Sequence, residues 1–317
     1  MSLHATSAQP PTRRVLTATI AFLIVVWAFN YITAKIALRY MDPFTFASFR
    51  LVLAGVFMFF IYLLCLRLPA FADAARARRI GWSRHDLWVF LYLGFFGVTV
   101  NQFCFTVGMR YTSVIHSAII GSMSPIYTLI LAVLFRLENA TLRKVLGMFV
   151  ALAGVALMAA GAGISRHSPS LLGDIITLTG SLGFAAYVVL GKRVAARYDS
   201  LTMTTFNSLF GALIVLPIAI HRAILIGSFS HWRAIPWPVW ACMFYMALFS
   251  SAIAYVLYFW ALRYLEATQL AAFSYLLPVA ATALGIIFLG ERGSWLELLG
   301  AAFALAAVYY IEAARSS

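Results

Sequence analysis

Long, uninterrupted apolar runs dominate the chain. A helix needs about 20 predominantly apolar residues to cross a hydrocarbon core ~30 Å thick. Ten stretches approach or exceed that length: 15–38, 43–66, 87–109, 113–135, 142–161, 171–191, 202–221, 238–262, 267–289 and 295–314. Strands of a membrane barrel would be about 10 residues long with two-fold alternation, and these runs are longer and unalternated. The pattern predicts an all-α integral membrane protein with ten transmembrane helices. Most connectors are short, so neighbouring helices should form antiparallel hairpins; the longer ones are 67–86 and 221–237. Arg13 and Arg14 precede the first run as in a secretory signal. That run is too long, lacks a small-x-small cleavage site, and continues to Lys35 and a second span, so it reads as an uncleaved first helix.

Composition sharpens this picture. The 317 residues are 63% hydrophobic and 10% charged, against about 45–50% and ~25% in soluble domains, which excludes a soluble globular enzyme. Lys and Arg number 23 against 10 acidic residues, a net charge of +13. In a soluble chain that excess would point to nucleic acid. Here, with the N-terminus in the cytoplasm, fifteen cations fall on the cytoplasmic side and seven on the other, leaving Arg50 within the membrane. This bias predicts both termini in the cytoplasm of a cell whose inner (plasma) membrane the chain crosses. It also assigns the basic 67–84 stretch to anionic lipid rather than to nucleic acid. Cys65, Cys104 and Cys242 lie within helices and form neither a disulfide framework nor a metal spacing. No nucleotide-binding loop, no His-Glu-x-x-His pair and no nucleophile with a membrane base is present, so neither ATP-driven transport nor catalysis is expected, and no cofactor or metal is implied.

The chain also resembles itself. At an offset of 153, positions 110–155 align with 263–308 without gaps, and 13 of 46 pairs are identical. Arg110 meets Arg263, Pro125 meets Pro278, Glu138 meets Glu291 and Gly147 meets Gly300. Apolar composition inflates such counts, but it does not bring Arg, Pro, Glu and Gly into register together. Upstream, Lys35 corresponds to Lys192 at an offset of 157. Each repeat then holds five helices, and an odd number sends the second copy into the membrane upside down. Inverted repeats are typical of secondary transporters with midplane sites; the plain alternative is a duplication that only builds a bundle. The implied division is a cytoplasmic tail (1–14), a first five-helix repeat (15–161), a linker (162–170) and a second repeat (171–314).

Several of these residues form a recognisable set. They are Trp27 through Lys35, Pro43 followed by Arg50, and Gly94 and Gly97 before Gln102 and Gly108. With them go the Pro125/Pro278, Glu138/Glu291 and Gly147/Gly300 pairs, Gly173-Asp174 and Ala186-Tyr187. Over about 15–314 this set resembles the drug/metabolite transporter superfamily, in particular its ten-helix members with two EamA repeats. The resemblance implies a secondary carrier in which helices 1–4 and 6–9 line a central cavity while helices 5 and 10 pack at the periphery. The superfamily's four-helix multidrug proteins carry a glutamate eight residues before a lysine in helix 1. Aligned on Lys35, that position is Trp27 here, and no Asp or Glu lies deep in a predicted helix. Antiport through a central carboxylate is therefore disfavoured.

Candidate chemistry follows from what lipid makes expensive. Arg50 sits seven residues past Pro43, ~10 Å into its helix; such a charge should face the bundle or a wet cavity. Anion or carboxylate recognition, or a clamp on helix 1, is expected, with snorkelling as the alternative. Asn30, Gln102 and Asn207 are buried amides that need partners, from neighbouring helices or from a substrate. His116 and Gln269 are repeat equivalents near helix starts; His116 can titrate near neutrality and couple protons, or simply be hydrogen-bonded. Tyr187, Tyr255, Tyr258 and Tyr275, with Trp27, can wall an amphipathic solute or merely pack. Pro125 and Pro278 are expected mid-helix as hinges or cavity-shaping kinks. Gly147, Gly154 and Gly161, with Gly300, form a small-residue packing stripe.

The reading is a carrier that exports a small polar or amphipathic metabolite, amino acids first, by alternating access. The alternatives are multidrug or xenobiotic efflux and, from another class, a non-transporting scaffold or sensor whose output surface would be the 67–86 loop. The expected partners are a small-molecule substrate and the lipid bilayer, with no nucleic acid. One chain already holds both repeats, so a monomer suffices.

Overall fold

Polar side chains inside and large apolar ones outside set this bundle apart from a soluble one. The computed structural model describes residues 11–68, 84–111, 117, 120–161, 171–195, 197–227, 232–289 and 294–312. They are helical, with no strand among them. The helices are α1 (Arg13–Ala37), α2 (Pro43–Leu66), α3 (Arg84–Tyr111), α4 (Ile120–Leu134), α5 (Leu142–Gly161), α6 (Leu171–Val194), α7 (Ser200–Ile226) and α8 (Trp237–Leu262). They are followed by α9 (Ala267–Ala272, a 3₁₀ turn Phe273–Tyr275, then Leu276–Leu289) and α10 (Trp295–Glu312). Eight helices are long and apolar enough to cross a membrane; Ile120–Leu134 and Trp295–Ile311 are shorter apolar helices. The 113–135 run is thus described as helix from Ile120, and residues 69–83 of the basic loop lie outside the described residues.

Local sequence starts the helices. Asp42 and Asp199, 157 positions apart, each cap a helix: the Thr45 and Thr202 backbone N–H groups donate to them at 2.9 Å, and both threonine hydroxyls donate to the same carboxylates. Such a cap satisfies donors that a helix start otherwise leaves open. Within the helices, Thr33, Ser48, Thr106, Thr128, Thr177 and Thr205 donate to carbonyls four residues back, which keeps hydroxyls satisfied without water. Leu142, Phe149, Leu171, Ile224, Trp295 and Leu298 point outward, as lipid requires.

Two apolar clusters pack toward opposite ends of the bundle. One joins Leu16 and Ile20 near the start of α1 to Phe90 of α3, Tyr187 and Val188 of α6, Met203 of α7, Leu262 of α8 and Leu270 of α9. The other joins Ala34, Ala37 and Met41, after α1, to Phe46 of α2 and to Val239, Cys242 and Met243 of α8. The end holding the start of α1 is called the first face, the other the second face.

Close backbone approach holds the remaining pairs together. A Cβ on Gly154 would stand 2.6 Å from the Gly300 carbonyl oxygen, and one on Gly300 2.3 Å from that of Gly154. A Cβ on Gly147 would meet Ile311 at 2.5 Å and the Ala307 carbonyl oxygen at 3.6 Å. Gly161 ends α5, and its surroundings lie outside the described residues. In lipid no hydrophobic force draws helices together, so contact between small faces supplies the packing. The α2–α7 pair approaches in the same way, with Gly55 against Ala212. We expect Gly154→Leu, which must displace backbone, to abolish the monodisperse peak in detergent size-exclusion chromatography. Leu298→Ala, on the outer surface, should leave that peak intact; a normal profile for Gly154→Leu would contradict the packing account.

Candidate functional site

Polar side chains converge in the middle of the bundle, where α3 and α8 change pitch. Phe95–Phe103 in α3 and Met246–Ile253 in α8 are wound as π-helix, a geometry that loosens the ladder and often marks functional sites. The two wide turns are joined by hydrogen bonds. The Ser251 hydroxyl donates to Gln102 Oε1 at 2.7 Å, and the Tyr255 phenol donates to Asn101 Oδ1 at 3.0 Å. Trp27 Nε1 donates to the Ser250 carbonyl oxygen at 3.2 Å, and Asn101 Nδ2 to that of Gly180 at 3.1 Å. A polar seam thus runs from α1 through α8 and α3 to α6.

Beside the seam lies a cavity of ≈ 180 Å³, room for one amino-acid-sized solute or on the order of ten waters. Trp27, Asn30 and Tyr31 reach it from α1, Arg50 from α2, and Asn101, Gln102 and Phe105 from α3. Gly121, Ser122 and Ser124 come from α4, Gly180, Ser181 and Phe184 from α6, Ser250 and Tyr255 from α8, and Ser274, Leu277 and Pro278 from α9. The wall is mostly apolar, yet four buried polar atoms of its lining residues have no partner: Asn30 Oδ1, Arg50 Nε, Ser124 Oγ and Ser274 Oγ. Toward the first face the floor is aromatic. Trp27 stands 6.3 Å from Phe184 and 5.4 Å from Tyr258 between ring centroids, and Phe184 stands 5.7 Å from Tyr258. Trp27, Phe184, Ser274 and Leu277 also line a smaller apolar pocket of ≈ 20 Å³ below that floor, so the partition is one side chain thick.

The first face is tied shut beneath the partition. Lys144 of α5 pairs with Glu138 at 3.0 Å and with Glu266 at 2.8 Å. Glu138 in turn accepts from the Thr268 backbone N–H at 3.2 Å and from its hydroxyl. Lys192 of α6 donates to the carbonyl oxygens of Leu262 and Leu265 at 2.6 Å each, capping the C-terminal end of α8. Buried Asp86 accepts from the Tyr198 phenol and pairs with Arg197 at 2.8 Å. Burial first, and then Asp86, push the Tyr198 phenol well up from its ordinary value, so it remains a donor throughout the physiological range.

The residues singled out from sequence divide accordingly. Asn30, Arg50, Gln102, Tyr255 and Pro278 line the cavity. Tyr187 and Asn207 do not: they lie buried beside it as a pair, with Asn207 Nδ2 3.5 Å from the Tyr187 hydroxyl. Tyr258 lines only the pocket beneath the partition, and Tyr275 is packed in the cluster of α4, α5, α9 and α10. Gln269 is a helix cap: its Oε1 accepts from the Glu266 backbone N–H in a reciprocal capping box, which removes it from the cavity. Pro125 and Pro278 lie inside α4 and α9, each just after an irregular turn, at Met123 and at Phe273–Tyr275, the turn that a proline's missing N–H loosens. His116 and Glu291 lie outside the described residues. Sequence reading missed Tyr31, Asn101 and Phe184 as cavity groups. Phe184 was within reach, since it stands 157 positions after Trp27, the offset of Lys35 and Lys192.

A family model described as the EamA-like transporter family matches residues 15–160 and 171–312. The chain belongs to that family. Its relatives include an uncharacterized transporter of Archaeoglobus fulgidus, 24% identical over 92% of this chain and 94% of its own. The "Probable terminal-alkyne amino-acid exporter" of Streptantibioticus cattleyicolor is 26% identical over 84% of this chain and 88% of its own. A solved crystal structure superposes with a TM-score of 0.70 at 16% identity, covering 96% of this chain and 100% of that one, a likeness of fold alone.

Lys144→Met would remove the ion-pair partner of Glu138, whose side chain is 4% exposed. Removing one partner of a buried pair costs about 3–5 kcal/mol, so the melting temperature in detergent should fall clearly. An unchanged melting temperature would show that the first face is not held by this pair.

Proposed function

We propose that this EamA-family transporter is a secondary carrier that exports a small polar or amphipathic metabolite, amino acids first, by alternating access between two inverted five-helix repeats (15–161 and 171–314). One observation carries the reading: a solute-sized cavity lies between the halves of the chain, with unpartnered polar atoms in its wall and the first face closed beneath it. Alternating access needs a site that one side reaches while the other is sealed.

The contacts between halves support the inversion. Residues 157 apart meet each other directly: Trp27 with Phe184, and Gly55 with Ala212. The α5–α10 contact is reciprocal, since Gly147 meets Ala307 where Gly154 meets Gly300, and these four are related by the 153 offset. Equivalent residues touch in this way when a two-fold axis passes between them. The first-face cluster also takes the start of α1 but the end of α6, as helices of opposite direction would. With ten spans and the cationic excess on the first face, both termini lie in the cytoplasm of the inner membrane. The cavity then belongs to the outward half, and one chain forms the whole pathway.

The relative in Streptantibioticus cattleyicolor, named as an amino-acid exporter, supports amino acids as the first substrates to try. Multidrug efflux is the second reading, favoured by the aromatic wall of Trp27, Phe184 and Tyr255. Counterflow in proteoliposomes across an amino-acid panel, with and without a pH gradient, tests the proposal. Accumulation of at least one labelled substrate is expected, and Arg50→Ala and Gln102→Ala should lower it while leaving expression unchanged. Normal transport by both variants would contradict the cavity assignment.

A further inference from the structure

Arg50 carries a charge that the surrounding protein does not balance. It is 2% exposed and lines the cavity. Its Nη2 donates to the Gln102 carbonyl oxygen at 3.4 Å, and its Nε has no partner. No Asp or Glu lines that cavity, and among the described residues none pairs with Arg50. Other arginines here are used differently: Arg222 pairs with Asp42 and donates to Thr45, and Arg143 donates to the Tyr310 carbonyl oxygen. A guanidinium offers five N–H donors in a planar fork. A guanidinium with no counter-charge in a mostly apolar wall is unfavourable, a penalty that an anionic ligand relieves and a cationic one worsens.

We infer that Arg50 anchors the carboxylate of the transported solute, whose apolar body packs against Trp27, Phe184 and Tyr255. The solute class is small monocarboxylates with an aliphatic or aromatic body, amino acids included. Amines that lack a carboxylate are excluded by like-charge repulsion. A phosphate monoester is excluded because one guanidinium balances only one of its two charges. This assignment rests on the carrier reading for its word "transported", and it bears against efflux of cationic drugs.

The test is binding to the purified full-length chain in detergent micelles, read by thermal melting and by tryptophan fluorescence, since Trp27 lines the cavity. The probes are phenylacetate against phenylacetamide, isovalerate against isovaleramide, and phenethylamine. Each acid should bind about tenfold or more tightly than its neutral amide, the usual value of a hydrogen bond to a charged group. Phenethylamine should not bind, and Arg50→Gln should reduce each acid to the level of its amide. The inference is overturned if neither acid outbinds its amide on the unmodified chain, a comparison that needs no variant to fold. It is overturned equally if folded Arg50→Gln protein keeps the preference for acids. Acids that outbind amides, in a protein that shows no counterflow of any substrate, would sink the carrier reading and leave the anchor standing.

Discussion

A bilayer interior supplies no water to a stray polar group, so each one must find a partner within the protein or mark a place where something else enters. That constraint organises this molecule. The threonine and serine hydroxyls turn back onto their own helices. Gln102 and Ser251, on different halves of the chain, find each other across two π-helical turns. Glu138, Lys144, Glu266 and Thr268 form a closed set at one end of the bundle. Among the buried polar atoms left without a partner, which include Asn207 Oδ1 and the Tyr275 hydroxyl away from the cavity, those of Arg50 and Asn30 belong to residues that line it.

The same constraint explains why the two ends of the bundle differ. Below the Trp27–Phe184–Tyr258 partition, α1, α3, α6, α7, α8 and α9 contribute apolar side chains, and Lys144, Lys192 and Asp86 are paired or hydrogen-bonded. Above it, α4 and α9 are broken near Met123 and at Phe273–Tyr275, and their serines face the cavity. A helix interrupted at membrane depth is tolerated where it lines a cavity or is buried in protein. The breaks and the cavity are one feature.

Helix positions were legible in the sequence because lipid imposes length and hydropathy on every span, and the duplication left Arg110/Arg263, Pro125/Pro278 and Gly147/Gly300 in register. Arg50 was legible because charge at that depth has few explanations. Gln269 and Tyr275 were not: an amide or a phenol in an apolar helix looks the same whether it caps, packs or lines a cavity. Only the capping box of Glu266 with Gln269 and the burial of Tyr275 beside α5 and α10 separate those outcomes. The prolines were legible in part: the sequence puts Pro125 and Pro278 inside their helices, and the structure adds the irregular turns just before them. The Asp42/Thr45 and Asp199/Thr202 caps show a repeat written in local chemistry that extends the 157 offset into α2 and α7.

The central claim is that one cavity between the repeats opens alternately to the two faces. Single cysteines at Ser122 and Ser274, in the cavity, and at Leu270, below the partition, report it most directly when labelled from each side of oriented vesicles. Substrate should lower labelling of the cavity positions from the second face and raise labelling of Leu270→Cys from the first. A pattern that substrate leaves unchanged at all three positions would contradict the account.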